Sequence, residues 1–149
     1  AAAFCSGVVT APATREIESS TSMVGKCPAD ARRRDSTTCA SRIDRAQSAH
    51  SFNPLAVEPL SVEAALISSL DRARALRLYR QARGLEPKNP DTWYQLGAFE
   101  LRQLKQPRAA YRDLNHAYTL DRFLFGKGTA PGRDLDQARC EIDPATCPE

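Results

Sequence analysis

The residues of this chain best suited to acid–base or metal chemistry are two histidines and a group of acidic residues near the C-terminus. His50 and His116 each lie near alanines in predicted helices, and neither belongs to a set spaced for binding a metal or activating a nucleophile. The acidic group lacks the glycine-containing ligand loop of a calcium site; its members are Asp134, Asp136, Glu141 and Asp143. The segment GKGT at 126–129 lacks the spacing of a phosphate-binding loop. The sequence therefore predicts a protein that is not an enzyme and that has no catalytic, cofactor-binding or metal-binding site.

The five cysteines lie outside the central part of the chain, where the helical pattern is strongest. Cys27 and Cys39 are candidates for a disulfide near the N-terminus, and Cys140 and Cys147 for one that closes the tail. Cys5 is then left over, which indicates a free thiol or a bond to another chain. Sequence alone does not fix this connectivity, but the lack of close pairs such as C-x-x-C argues against zinc. Oxidised cysteines predict an extracellular or periplasmic location.

The composition is that of a soluble globular protein. The chain has 149 residues, of which 42% are hydrophobic and 26% charged, and its net charge is +3. No apolar run is long enough to span a membrane. The one basic run, Arg32 to Arg34, is flanked by Asp30 and Asp35, so we interpret it as a solvated surface and predict no nucleic-acid partner. Because the sequence begins Ala-Ala-Ala-Phe without a methionine, we expect a removed leader peptide or a longer parent chain.

The strongest pattern lies at 89–121, where two amphipathic helices are predicted. Asp91 is the expected cap of the first helix, and Pro107 the first residue of the second. Trp93, Leu96 and Gly97 recur at helical spacing in the first helix. One face of the second helix carries three residues spaced by four and three, namely Ala110, Leu114 and Ala117. This pattern resembles that of the tetratricopeptide repeat. It predicts that Gly97 and Ala110 allow a close approach of the two helices.

The same pattern recurs upstream. Pro54 and Pro87 are 33 residues apart, close to the period of about 34 in this repeat class. The upstream residues at the equivalent packing positions are Leu60, Ala64, Ala75, Tyr79 and Ala82. We therefore predict an all-α fold, a short tetratricopeptide-type solenoid of about three helical hairpins.

The predicted organisation has four parts. They are an extended N-terminal arm at 1–13, a degenerate first hairpin at 14–54, two repeat units at 55–121 and a capping tail at 122–149. The tail is predicted to be loop-rich, with a last short helix at 134–142. Its apolar residues Phe123, Leu124 and Phe125 are expected to cover the exposed end of the last hairpin.

The resemblance to the repeat family also implies a concave groove lined by the first helix of each unit. Carried over position by position, the groove residues are Glu58, Ser61, Ala65 and Ser69 in one unit, and Asp91, Tyr94, Ala98 and Arg102 in the next. This floor lacks the lysine, arginine and asparagine cluster that such domains use to bind a peptide carboxylate. It is better suited to accept a segment of a neighbouring chain or to be filled by the N-terminal arm.

The leading hypothesis for the function is a non-enzymatic exported module that binds other protein chains, above all copies of itself. Head-to-tail stacking of such modules would build an extracellular filament. A second hypothesis is based on residues 52–121, which resemble the soluble repeat region of bacterial O-antigen-ligase-like membrane glycosyltransferases. In that case the chain is the extracytoplasmic tail of such an enzyme. Glycans are possible on Ser6, Thr10 and the serines and threonine at 19–22.

Overall fold

The computed structural model describes residues 33–147 of the chain, with side chains from residue 38 onward, and this part is helical without strands. The all-α class is thereby confirmed for these residues. The predicted arm at 1–13 and the first half of the predicted first hairpin lie outside them. Six α-helices follow one another: α1 Arg33–Phe52, α2 Val57–Ile67, α3 Arg72–Leu85, α4 Pro90–Arg102, α5 Pro107–Leu120 and α6 Ala130–Ile142. A short 3-10 helix at Pro144–Thr146 ends the described part.

Prolines and capping residues set the starts of α4 and α5. Pro107 opens α5, as the sequence predicted. The predicted cap of α4 was wrong, because Asn89 rather than Asp91 caps this helix. The Asn89 side-chain oxygen accepts a hydrogen bond from the Asp91 backbone N–H at 3.0 Å. Pro90 fixes the first helical position, so the capping residue has to precede the proline.

Each helix packs against the next one along the chain. Because the first four connections between the helices have only four residues each, neighbouring helices run antiparallel. Three groups of buried side chains follow one another along this stack. The first group joins α2 to α3 and is centred on Leu60 and Ala82. The second joins α2 and α3 to α4 around Tyr79 and Phe99. The third joins α4 and α5 to α6 around Leu114 and Phe125.

The last helix is longer than the sequence predicted. It begins at Ala130 rather than near Asp134, so four residues that were expected in a loop are helical. The Thr129 hydroxyl caps the helix by accepting a hydrogen bond from the Gly132 N–H at 3.1 Å, and Pro131 occupies the first turn. Glycine is needed at position 132, since an added Cβ would lie 2.7 Å from the carbonyl oxygen of Gly126. Thr129, Pro131 and Gly132 therefore cap and pack the start of α6, although threonine, proline and glycine are also common in loops.

The three apolar residues after α5 divide between core and surface. Phe125 is buried, and Leu124 packs against the same cluster. Phe123 does not cover the last hairpin as predicted, because its side chain is 96% exposed. The Asp121 carboxylate accepts hydrogen bonds from the backbone N–H groups of Phe123 and Leu124 at 2.9 and 3.3 Å. This turn reverses the chain within a few residues, so only some of the side chains can reach the core.

Each of the three cysteines in the described part of the chain takes part in a disulfide bond. Cys140 and Cys147 are joined by a disulfide bond, with their Cα atoms 4.7 Å apart, within the tail that the sequence predicted to be closed. Cys39 also takes part in a disulfide bond. Its predicted partner Cys27 lies outside the described residues, as does Cys5.

Between residues 33 and 147, no helix is long and apolar enough to cross a bilayer.

Two glycines in helices allow a first test of the packing between α4 and α5. A Cβ added at Gly97 would lie 2.8 Å from the Leu114 Cγ and 3.1 Å from the Leu114 backbone nitrogen. We therefore expect Gly97→Ala to lower the free energy of unfolding by about 1–3 kcal/mol. A Cβ added at Gly84 in α3 would meet no atom within 4 Å. Gly84→Ala should accordingly raise this free energy by about 0.5–1 kcal/mol through helix propensity. Urea unfolding of both variants measures the difference, and equal effects would contradict the tight contact.

Candidate functional site

Two of the four groove residues predicted in α4 form side-chain hydrogen bonds with another helix of the chain. Arg102 donates two hydrogen bonds from one terminal nitrogen to the Asp134 carboxylate in α6, at 2.6 and 2.7 Å. The Tyr94 hydroxyl donates to the same carboxylate at 3.3 Å. Burial and the neighbouring Asp134 raise the pKa of Tyr94. Ala98 is buried, while Asp91 is exposed in the first turn of α4. The structure thus brings Tyr94 and Arg102 together at Asp134 of α6, although the Arg102 side chain remains 49% exposed.

Three of the groove residues predicted for the preceding unit lie in α2, and Ser69 follows in the α2–α3 connection. Glu58 is exposed, whereas Ser61, Ala65 and Ser69 are half-buried. Glu58 borders an open depression of about 490 Å³ between α1 and α2, together with Arg42 and other residues. Of the eight predicted groove residues, Glu58 therefore borders the depression beside α1, and Tyr94 and Arg102 contact α6.

The predicted repeat core contains ten buried residues and one that is half-buried. The buried ones are Leu60, Ala64, Ala75, Tyr79, Ala82, Leu96, Gly97, Ala110, Leu114 and Ala117. Burial raises the pKa of Tyr79 to about 12. The remaining residue, Trp93, is half-buried. It lies where α3, α4 and α5 meet, and it forms one wall of the candidate site.

Trp93 has a defined partner on each of the neighbouring helices. Its Nε1–H donates a hydrogen bond to the Pro87 carbonyl oxygen at 2.8 Å. The guanidinium carbon of Arg83, from α3, lies 4.8 Å from the centre of the indole ring. The ring centre of His116, from α5, lies 4.0 Å away. The tryptophan therefore fixes the position of a cation and of an imidazole at the junction of the three helices.

Beneath this junction lie two buried carboxylates on facing helices. Glu100 in α4 is 1% exposed, and Asp113 in α5 is fully buried. The Asp113 Oδ1 accepts a hydrogen bond from the Arg112 Nε–H at 2.9 Å, and a terminal nitrogen of Arg83 lies 3.8 Å from Oδ2. Within the described part of the chain, no donor reaches the Glu100 Oε2 or the Asp113 Oδ2 within hydrogen-bonding distance. Burial and the charge of Asp113 raise the pKa of Glu100 to about 7.

A pocket of about 530 Å³ lies between α3 and α5, with Trp93 of α4 in its wall. Its charged and aromatic lining consists of Arg83, Trp93, Arg112, Asp113 and His116. The two guanidinium groups of this pocket can bind an anionic group, and its one carboxylate can accept hydrogen bonds. Neither here nor elsewhere in the described part of the chain is a cluster of three or more histidine, cysteine or acidic side chains placed to hold a metal ion.

This pocket was not among the sites predicted from the sequence. The spacing in α5 could have indicated it. Asp113 lies three residues after Ala110 and four before Ala117, which places it on the face that packs against α4. Glu100 follows Leu96 by four residues in the same way. Acidic residues at packing positions are rarely buried unless a partner is near. Their arginine partners lie partly on another helix, which the spacing within one helix does not reveal.

Comparison with known proteins gives no match for this chain. No protein-family model matches the chain, and no curated protein or solved structure matches it. The fold and the arrangement of residues within this chain therefore carry the functional argument.

Proposed function

We propose that this chain is an exported, non-enzymatic tetratricopeptide-type module that assembles head to tail with copies of itself. The equivalence of the packing positions supports the repeat assignment. Ala75, Tyr79 and Ala82 in α3 are each 35 residues before Ala110, Leu114 and Ala117 in α5, and all six are buried. Shared packing positions in consecutive hairpins are what a stack of repeats requires.

The observation that carries the assembly proposal is the exposure of phenylalanine at both ends of the described stack. Phe52, at the end of α1, is 91% exposed, and Leu55 beside it is 74% exposed. Phe123, after α5, is 96% exposed. The α1–α2 and α5–α6 connections lie on the same edge of an antiparallel stack. Two apolar sites at opposite ends of one edge suit a heterologous contact that repeats from copy to copy.

The cysteines support an extracytoplasmic location for this assembly. The Cys140–Cys147 bond needs an oxidising compartment to persist. We propose that Cys5 provides a further bond between copies.

Electron microscopy and light scattering test the assembly proposal. We expect native, non-reduced protein to form regular fibres, and Phe123→Ser or Phe52→Ser to shift it toward monomers. Because burying a phenylalanine side chain contributes about 1.5–3 kcal/mol, each variant should weaken association roughly ten- to a hundredfold. Leu70→Ser is the matched control, since Leu70 is 53% exposed but lies in the α2–α3 connection on the opposite edge.

Three results would argue against the proposal. The first is a native protein that remains monomeric at high concentration. The second is an assembly that Phe123→Ser and Leu70→Ser weaken equally, because the contact would then not involve the proposed edge. The third is a loss of folded structure in Phe123→Ser by circular dichroism, because an exposed side chain should not contribute to folding.

A further inference from the structure

The pocket between α3 and α5 holds two arginines that are oriented by the protein and still have donors to offer. Arg112 uses its Nε–H on the buried Asp113, and its side chain is 71% exposed. Arg83 is held by the face of Trp93 and by its ion pair with Asp113. In the described part of the chain, no acceptor lies within hydrogen-bonding distance of the terminal nitrogens of either arginine. Two guanidinium groups whose positions are fixed in advance lose little entropy when they bind a ligand.

The charge balance around the pocket is positive. The positive charges of Arg112, Arg80 and Arg83 all lower the pKa of Glu100. These three charges face two carboxylates, those of Glu100 and Asp113. Helix α3 contains five arginines and no acidic residue, and Asp113 is the one acidic residue of α5. The local charge is thus at least +1, and it approaches +2 when Glu100 is protonated. An anionic group is the ligand that this field favours.

The size and lining of the pocket narrow the class of anion. One water molecule occupies roughly 30 Å³ of liquid volume, so a single inorganic anion would leave most of the 530 Å³ to solvent. The planar fork of an arginine matches a carboxylate group in two parallel hydrogen bonds. Asn115 and His116 also line the pocket, and their polar atoms suit the hydroxyl groups of a ligand.

We propose that the α3–α5 pocket binds an organic acid about the size of one sugar acid, with its carboxylate between Arg83 and Arg112. Asp113 positions both guanidinium groups, while Trp93 and His116 form the wall beside the ligand. This binding does not depend on self-assembly.

The single tryptophan of the chain provides a local probe, because Trp93 lines the pocket. Galacturonate, added to the full-length protein at low ionic strength, should change the Trp93 fluorescence saturably, whereas the neutral sugar galactose should not. Arg112→Gln and Arg83→Gln should each weaken galacturonate binding at least tenfold. The matched control is Arg108→Gln, one turn earlier on α5, where the side chain is exposed and does not line the pocket. Circular dichroism verifies that each variant is folded.

Four outcomes would overturn the assignment. One is no saturable response to galacturonate in the folded parent protein. Another is an equal response to galactose, because the arginines would then not be recognising the charge. The third is equal affinity for galacturonate in Arg112→Gln and Arg108→Gln. Inorganic phosphate serves as a further arm, and if it binds as tightly as galacturonate, the organic acid is not the ligand.

Discussion

Replacing Glu100 with glutamine is expected to stabilise the folded protein at pH 8 by about 3 kcal/mol and to leave its stability at pH 4.5 nearly unchanged. The reason is the environment of this carboxyl group, which is 1% exposed on α4. Burial raises the pKa of Glu100 from 4.5 to about 7, with Asp113 adding to the effect and Arg112, Arg80 and Arg83 opposing it. Among the groups described, these arginines and Asp113 are the charges that face Glu100 from α3 and α5.

The sign of the pH dependence follows from proton binding. Between pH 4.5 and 7 the folded protein keeps the Glu100 proton, while the unfolded chain releases it. Raising the pH therefore favours the unfolded chain, so this contribution to stability is present below pH 4.5, falls through the window and stays lost above it. A pKa difference of 2.5 between the two states corresponds to about 3 kcal/mol. Glutamine cannot ionise, so the variant avoids this loss.

Urea unfolding of the parent protein and of Glu100→Gln at several pH values between 4.5 and 8 measures this effect. The difference between the two free energies of unfolding should grow with pH and level off above about pH 7. Glu58→Gln is the matched control, because Glu58 is exposed on α2. Its difference from the parent protein should stay small across the range. Parallel profiles for Glu100→Gln and the parent protein would show that Glu100 carries its charge in the folded state as readily as in water.

The pH window also bears on the proposed ligand site. When Glu100 is protonated, one of the two negative charges beneath Arg83 and Arg112 disappears. The field at the pocket is then more positive, so Glu100→Gln, which removes this charge at every pH, should bind an anion more tightly than the parent protein at pH 8. Neutralising Glu100 stabilises the core and strengthens the anion site together, because the same carboxyl group acts on both.

Local sequence signals predicted much of the fold. Proline at position 107 marks the start of a helix because its fixed φ and missing donor suit the first turn. Alternating spacings of three and four identified the packed faces of α3 and α5, as at Tyr79 and Leu114. These signals act within a few residues and are therefore readable from a single sequence. The start of α6 was missed, because Thr129 and Pro131 stand among glycines that are as common in loops.

Contacts between distant parts of the chain could not be predicted in the same way. Arg102 and Asp134 are 32 residues apart, and only the packing of α6 against α4 brings them together. The acidic pair of the pocket depends on the relative rotation of α4 and α5. A change of one position in that register would place Glu100 or Asp113 in solvent. Sequence spacing determines which residues share a face of one helix, but it does not determine which side chains of the next helix contact that face.

The second large effect is expected from truncating Leu114, the side chain against which Gly97 packs. Leu114 is fully buried in the cluster shared by α4, α5 and α6. Leu114→Ala should lower the free energy of unfolding by about 3 kcal/mol, through lost burial and the cavity that remains. The cavity lies where an added Cβ at position 97 would point, because that Cβ would lie 2.8 Å from the Leu114 Cγ and 3.1 Å from its Cδ2. Both atoms are absent from the alanine variant.

The double variant Gly97→Ala/Leu114→Ala should therefore be more stable than the sum of the single effects predicts, by about 1–2 kcal/mol. The alanine methyl group would occupy part of the cavity and no longer meet the leucine side chain. Urea unfolding of the four proteins of the cycle gives this coupling energy. A second cycle that combines Gly97→Ala with Leu60→Ala is the control, because Leu60 is buried in a separate cluster between α2 and α3. Its effects should add within about 0.5 kcal/mol. If the first cycle were equally additive, the backbone contact at the Leu114 nitrogen, rather than its side chain, would limit the approach of α4 to α5.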